Sequence, residues 1–205
     1  HRIELGINST LPAATPAEDH LFKIRDPDEA RLLDEPKKEA FHHATYQLLF
    51  LSSRARRDIQ TPVSFLTTRV KAPDEDDWLK LRRVLKYLKG TRHMKLNLSV
   101  DDLSVIKWWV DASDRTHWDC KGHTGAMMSL GKGAVLSYSG KQKLNTKSST
   151  ESELVGADTV LTRVIWSLNF IESLGYTVDH NIMYQDNQST MRLETNGVLS
   201  SSKRT

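Results

Sequence analysis

The sequence predicts an α/β protein: a mixed sheet with helices packed on it, preceded by a small helical subdomain. Three observations carry this. Apolar residues recur at helical spacing from about residue 38 to residue 90. From residue 103 the period changes to strand-like alternation. The later region then reads strand, strand, strand, helix, strand, helix, an order that closes a mixed sheet against helices.

Residues 1–37 are rich in Pro, Asp and Glu without a sustained period, and read as an extended or partly disordered lead-in. Helical spacing runs from Lys38 to Ser53, with Phe41, Leu48, Leu49 and Leu51 as core candidates. "RARRD" interrupts it. Asp58 is placed to cap a second helix ending near Val70, with Pro62 close to its first turn. After "KAPDEDD" comes a third helix, "DDWLKLRRVLKYLKG". Trp78, Leu81, Leu85 and Leu88 form its apolar stripe, and Lys80, Arg82, Arg83 and Lys86 take the other side. Acidic residues at its start and basic ones at its end complement the helix dipole, and Gly90 stops it. Residues 38–96 thus form the helical region.

In "VIKWWVDA", Ile106, Trp108 and Val110 alternate with Lys107 and Trp109, as in a strand with one buried face. "TGAMMSLGKGAVLSYSG" predicts two strands around a tight Gly-Lys-Gly turn. "SSTESELVGADTVLTRVIWSLNFIESLG" predicts a long helix ended by Gly175. Its apolar side is read as Leu154, Ala157, Leu161, Val164, Leu168 and Ile171. "HNIMYQD" is a further strand, and "NQSTMRLETNG" a short helix.

Composition excludes some classes. Of 205 residues 38% are hydrophobic, enough for one good core or two smaller ones. There is no uninterrupted apolar run of 18 residues, so no membrane span is expected. "HRIELGINST" has neither an initiator Met nor an apolar leader, and reads as the start of a fragment. The single Cys120 rules out an internal disulfide and suits a reducing compartment. The net charge of +3 is unevenly spread: residues 1–100 carry 18 basic and 14 acidic residues, residues 101–205 carry 11 and 12. Seven basic and no acidic residues lie between Lys80 and Lys95, which suits a polyanion-facing surface or a solvated helix face.

Asp111 and Asp186 are each delivered to a strand end, and Glu153 stands in the first turn of the helix between those strands. In a mixed sheet the two strands can be neighbours, so three carboxylates from three elements can converge. Mg²⁺ seeks oxygen ligands of this kind, and two such ions activate a water in phosphodiester cleavage. Each acid also has a plainer role. Asp111 and Asp186 suit strand-end turns, and Glu153 could complete a capping box with Thr150. Ser148 and Glu151 offer the same box one register earlier, which would leave Glu153 free. His117, Cys120 and His123 in "HWDCKGH" are zinc-ligand types. They crowd into seven residues, unlike the separated pairs of structural zinc sites.

"VDASD", "GKGAVLSYSGKQK", "SSTESELVGA" and "YQDNQST" resemble, in order and spacing, the ribonuclease H domain of copia-type LTR-retrotransposon polyproteins. "YQLLFLSSRARRDIQTPVSFL" and "WLKLRRVLKYLKGT" resemble the thumb or connection segment between that family's reverse transcriptase and ribonuclease H. The resemblance covers about residues 38–205. It implies a ribonuclease H-like fold over residues 103–205, incomplete at the C-terminus, after a thumb/connection region at 38–96. It implies cleavage of the RNA strand of RNA–DNA hybrids with two Mg²⁺ ions, Mn²⁺ being a possible substitute. Asp111, Glu153 and Asp186 match the family's catalytic, metal-holding acids. Lys80, Arg82, Arg83, Lys86 and Lys89 would meet the hybrid backbone. The implied partners are the hybrid and the rest of the polyprotein, with no membrane. The implied location is intracellular, cytoplasmic or nuclear, or inside virus-like particles.

Tyr46 stands where the family usually has glycine, and Arg57 where it has proline. The family's "KHID"-like segment with a fourth acid, and its polymerase aspartates, are not within these 205 residues. The expectation is therefore no polymerase activity and weak cleavage. The rival expectation is a decayed, non-catalytic remnant that keeps the fold and some nucleic-acid affinity.

Overall fold

The computed structural model describes residues 11–26, 28–187 and 190–191. The chain divides into two compact units, His1–Asn97 and Leu98–Thr205. The short helix expected over residues 187–197 falls almost wholly outside the described residues.

In the first unit, helix α1 (Glu35–Arg54) starts on Asp34, whose side chain accepts the Lys37 N–H at 3.0 Å. It buries Phe41, Ala44, Thr45 and Leu48, while Leu49 and Phe50 turn outward. A 3₁₀ turn, Arg57–Ile59, leads into α2 (Gln60–Arg69), and α3 follows (Glu75–Gly90). Asp58 does not cap α2, as the sequence suggested. Its carboxylate receives the Arg56 guanidinium at 2.7 Å and the Tyr87 hydroxyl at 2.7 Å. Arg56 is buried, and a buried guanidinium left without a carboxylate is costly, so a tertiary clasp takes the residue that local chemistry would use as a cap.

Asp74 and Asp77 form a reciprocal capping box at the start of α3. The inward side of α3 is Trp78, Leu81, Val84 and Tyr87, with Leu85 and Leu88 only partly buried at its border. The lead-in from residue 11 is extended and also packed. Leu21 and Leu33 belong to the core, and the backbone of Leu33 and Arg31 bonds Pro73 and Glu75.

The second unit holds a four-stranded sheet. Its strands are β2 (Val105–Ser113), β3 (His123–Ser129), β5 (Leu136–Lys141) and β6 (His180–Tyr184), in the order β5-β3-β2-β6. β2 is antiparallel to β3 and parallel to β6, so the sheet is mixed. Gly131–Lys132 is not a tight turn but a short strand, β4, paired with β1 (Ser99–Val100). Helix α4 (Ser149–Ser173) lies on the sheet face made by Ile106, Trp108 and Val110.

Its inward line is Gly156, Ala157, Val160, Val164, Ser167 and Ile171. Leu154 and Leu161, expected inside, are exposed. Small residues decide the rotation. A Cβ on Gly156 would come within 3.0 Å of the Ala112 Cβ, so the helix approaches the sheet where a side chain is missing. By length and composition alone α4 is apolar enough to cross a membrane, a property the search for uninterrupted apolar runs does not reveal. On the other face of the sheet, Trp109 and Tyr184 stack with centroids 5.3 Å apart.

Candidate metal centre

The β2–β6 register brings two aspartates together. Its last pair is Trp109 with Tyr184, and Asp111 and Asp186 each lie two residues further along. Asp111 is not the terminal residue of its strand. β2 continues to Ser113 in pairing with β3, with Asp111 opposite Gly125.

The third carboxylate depends on the start of α4. Ser148 is the cap: its hydroxyl accepts the Glu151 N–H at 3.2 Å, and the Glu151 carboxylate accepts the Lys147 N–H at 2.8 Å. The earlier capping register therefore holds, and Glu153 is left to point at the sheet. One carboxylate oxygen each from Asp111, Glu153 and Asp186 lie within 4.8 Å of one another.

The three acids differ in surroundings. Asp111 and Asp186 are exposed, and Glu153 is buried. Burial raises the Glu153 pKa above the ordinary carboxylate range, and the charges of Asp111 and Asp186 push it the same way. The Gln185 side-chain amide, donating to its carboxylate at 3.1 Å, and the Ala112 N–H oppose that shift. Gln185 is a site residue that sequence reasoning missed; its only signal was adjacency to Asp186. Its own carbonyl oxygen is buried without a hydrogen-bond partner among the described residues.

The donor set suits a hard divalent cation: all-oxygen, and in excess of negative charge. Three clustered carboxylates repel one another, and a cation between them removes that repulsion. An exposed side toward Asp111 and Asp186 leaves room for water and a phosphate oxygen.

The zinc-type residues do not form a second centre. Among the described residues, the acidic trio is the one group of three or more His, Cys, Asp or Glu side chains close enough to share an ion. His117 and His123 bond each other, Nε2 to Nδ1 at 3.0 Å, while Cys120 is exposed.

The basic stripe on α3 divides. Lys80 is a correction: it faces inward, its ammonium 2.9 Å from Asp76, donating to the Lys23 carbonyl and lying over the Phe65 ring. Its long stem covers apolar surface while its charge finds a carboxylate four residues back. Arg83 is held by Glu18 and Thr15 of the lead-in. Arg82 and Lys86 are half-buried and Lys89 is exposed.

Over 196 residues the chain is 27% identical to a retrovirus-related Pol polyprotein from transposon TNT 1-94 of Nicotiana tabacum, matching 94% of this chain and 15% of that protein. The chain resembles transposon Pol polyproteins. Its identity to the Pol polyprotein of transposon RE2 of Arabidopsis thaliana is 29% over 153 residues, 71% of this chain and 10% of that protein. With a putative transposon Ty5-1 protein of Saccharomyces cerevisiae it is 32% over 120 residues, 58% of this chain and 39% of the relative. The chain thus spans under half the length of each of these three relatives. No family model matches it, and no solved structure gives a significant match.

Proposed function

We propose that the second unit is a ribonuclease H-like nuclease segment of a copia-type Pol polyprotein, acting on the RNA strand of RNA–DNA hybrids. The convergence of Asp111, Glu153 and Asp186 within 4.8 Å carries this reading, in a chain whose relatives are Pol polyproteins. Asp111, Glu153 and Asp186 would hold Mg²⁺. When bound, the metal supplies an activated water and stabilisation of the leaving oxygen in phosphodiester cleavage.

The chain's own part is placement. The parallel β2–β6 pair sets Asp111 and Asp186 side by side. The α4 cap uses Ser148 and Glu151 and so leaves Glu153 free for the cluster, and Gln185 donates to its carboxylate. Burial at Glu153 limits water on one side of the cluster, and exposure at the two aspartates leaves the other side to substrate. On α3 of the first unit, Arg82, Lys86 and Lys89 are the basic residues proposed to meet nucleic-acid backbone.

The test is cleavage of labelled RNA in a hybrid, compared with single-stranded RNA and duplex DNA, in Mg²⁺ and in Mn²⁺. It uses this chain and a version extended by the coding sequence that follows. Hybrid-selective cleavage that Asp111→Asn abolishes is expected. A folded protein inert in both lengths and both metals sinks the nuclease reading and leaves a non-catalytic remnant.

A further inference from the structure

A buried polar knot lies beside the acidic cluster. Its centre is Gln142, the residue after β5, almost fully buried. Its side-chain amide nitrogen donates to the Ser152 carbonyl at 2.8 Å and to the Thr124 hydroxyl at 3.0 Å. Its amide oxygen accepts the Ser152 hydroxyl at 3.1 Å. The Ser152 hydroxyl also reaches the Ser113 carbonyl at the end of β2, at 3.2 Å. A backbone carbonyl only accepts, so the bond to Ser152 fixes which way the amide faces. Gln142 also anchors itself through its backbone N–H, which donates to the Gly122 carbonyl at 2.9 Å.

Ser152 immediately precedes Glu153. The knot therefore joins three places in the sheet unit to the first turn of α4: β3 through Thr124, the end of β2 through Ser113, and the 114–122 loop through Gly122. It is packed to the limit. A Cβ on Gly122 would stand 2.5 Å from the Gln142 amide oxygen and 2.6 Å from the Ser152 hydroxyl. This gives the glycine of "HWDCKGH" a purpose without a metal: it lets the loop close over the amide.

The geometry points to Gln142 as the positioning residue for Glu153: it locks the first turn of α4 to the sheet so that the carboxylate meets Asp111 and Asp186. This rests on the reading of those three acids as a cation site. The side chain touches neither cation nor substrate and acts through the backbone of Ser152. Cap chemistry at Ser148 and Glu151 starts the helix, but leaves its angle on the sheet free. A buried primary amide with both N–H groups bonded, its oxygen sharing the single Ser152 hydroxyl proton with the Ser113 carbonyl, fixes that angle, since moving it would orphan several groups at once.

The experiment is Mn²⁺ affinity of the whole chain by calorimetry, for wild type, Gln142→Leu, Glu153→Gln and the double variant, with melting temperature recorded for each. Removing support behind metal ligands typically costs 10–100-fold in affinity. Gln142→Leu should weaken Mn²⁺ binding about 10-fold, and in the Glu153→Gln background it should weaken it no further. Ser152→Ala, which keeps the carbonyl and loses two hydroxyl contacts, should show a smaller loss with the same non-additivity. It serves if Gln142→Leu does not fold. Losses that multiply, or a folded variant with lowered melting temperature and unchanged affinity, overturn the positioning role and leave Gln142 a packing residue. If Glu153→Gln alone leaves Mn²⁺ binding intact, the cation site itself is refuted and the inference goes with it.

Discussion

Lowering the pH should unfold the second unit earlier than ordinary carboxylate titration would. The cause is the pair His117 and His123. The two rings bond each other at 3.0 Å, His123 reaches the Ser139 hydroxyl at 2.7 Å, and both are buried. Burial lowers the His117 pKa to about 4, the Lys141 cation adding to this and the Asp119 carboxylate partly opposing it. Burial also brings His123 to about 4, assisted by the charge His117 would carry. Both are therefore neutral in the fold, while an unfolded imidazole titrates near 6.5.

The folded state thus binds fewer protons than the unfolded state below about pH 6.5. The pair's contribution to stability is complete above that pH and is lost as the pH falls toward 4. At pH 5 one such imidazole costs the fold about 2 kcal/mol relative to pH 7.5. The two are coupled, so the second is not added in full. For a unit of this size that corresponds to a fall in Tm on the order of 10 °C. Thermal melts from pH 7.5 to pH 5 should show it, and histidine ring NMR should find two imidazoles that do not titrate near 6.5. The control is His117→Gln with His123→Gln, less stable at pH 7.5 but flatter with pH by about 2 kcal/mol. Carboxylates common to both proteins cancel in that comparison. Equal pH dependence of the two proteins would refute the reasoning.

Other outcomes follow from single contacts. Gly156→Val puts a branched side chain where even a Cβ lies 3.0 Å from Ala112, so urea melts should show a loss of about 1–3 kcal/mol. Asp58→Ala leaves buried Arg56 without its carboxylate and Tyr87 without its acceptor. A loss of about 2 kcal/mol, allowing for the partial exposure of Asp58, should appear in the first unit by urea melt. Gln185→Leu removes a donor to the Glu153 carboxylate and should raise the Glu153 pKa further, measurable by carboxyl NMR; no change would mean that the bond does not form in solution. Replacing Arg82, Lys86 and Lys89 by Ala should flatten the salt dependence of hybrid binding, while Lys80→Ala should chiefly lower the Tm.

Legibility in the sequence followed the range of the interaction. Alternation along Ile106, Trp108 and Val110 is a property of one strand, and it appears as read. The three acids could be proposed because each reads as standing at an element's end or start, although β2 runs two residues past Asp111. Helix faces were read less well. On α4 large apolar residues do not mark the inner side: Leu154 and Leu161 face out, because close approach requires Gly156 and Ala157 inward. On α3 a lysine counts as outward by type, yet Lys80 finds a carboxylate and a carbonyl inside. Asp58 and Gly131–Lys132 have sound local readings that other partners override, neighbouring Arg56 and distant Tyr87 for the first and β1 for the second. Gln142 left no local trace, since its partners Thr124 and Ser152 are 18 and 10 residues away.

The parallel pairing of β2 with β6 has a consequence in time. Val105 meets His180 only after the chain between them has been made and folded back, so this contact closes one of the longest loops in the unit. Contacts of such separation are slow to form, because the loop entropy is lost before the pairing rewards it. A slip of one residue in β6 would turn Asp186 to the opposite face and disperse the acids. On the proposed reading, cation affinity would therefore arrive with β6 and in one register alone. A misregistered chain carries all three carboxylates without their convergence, and if the trio holds a cation, Mn²⁺ binding during refolding would be a clock for the docking of β6.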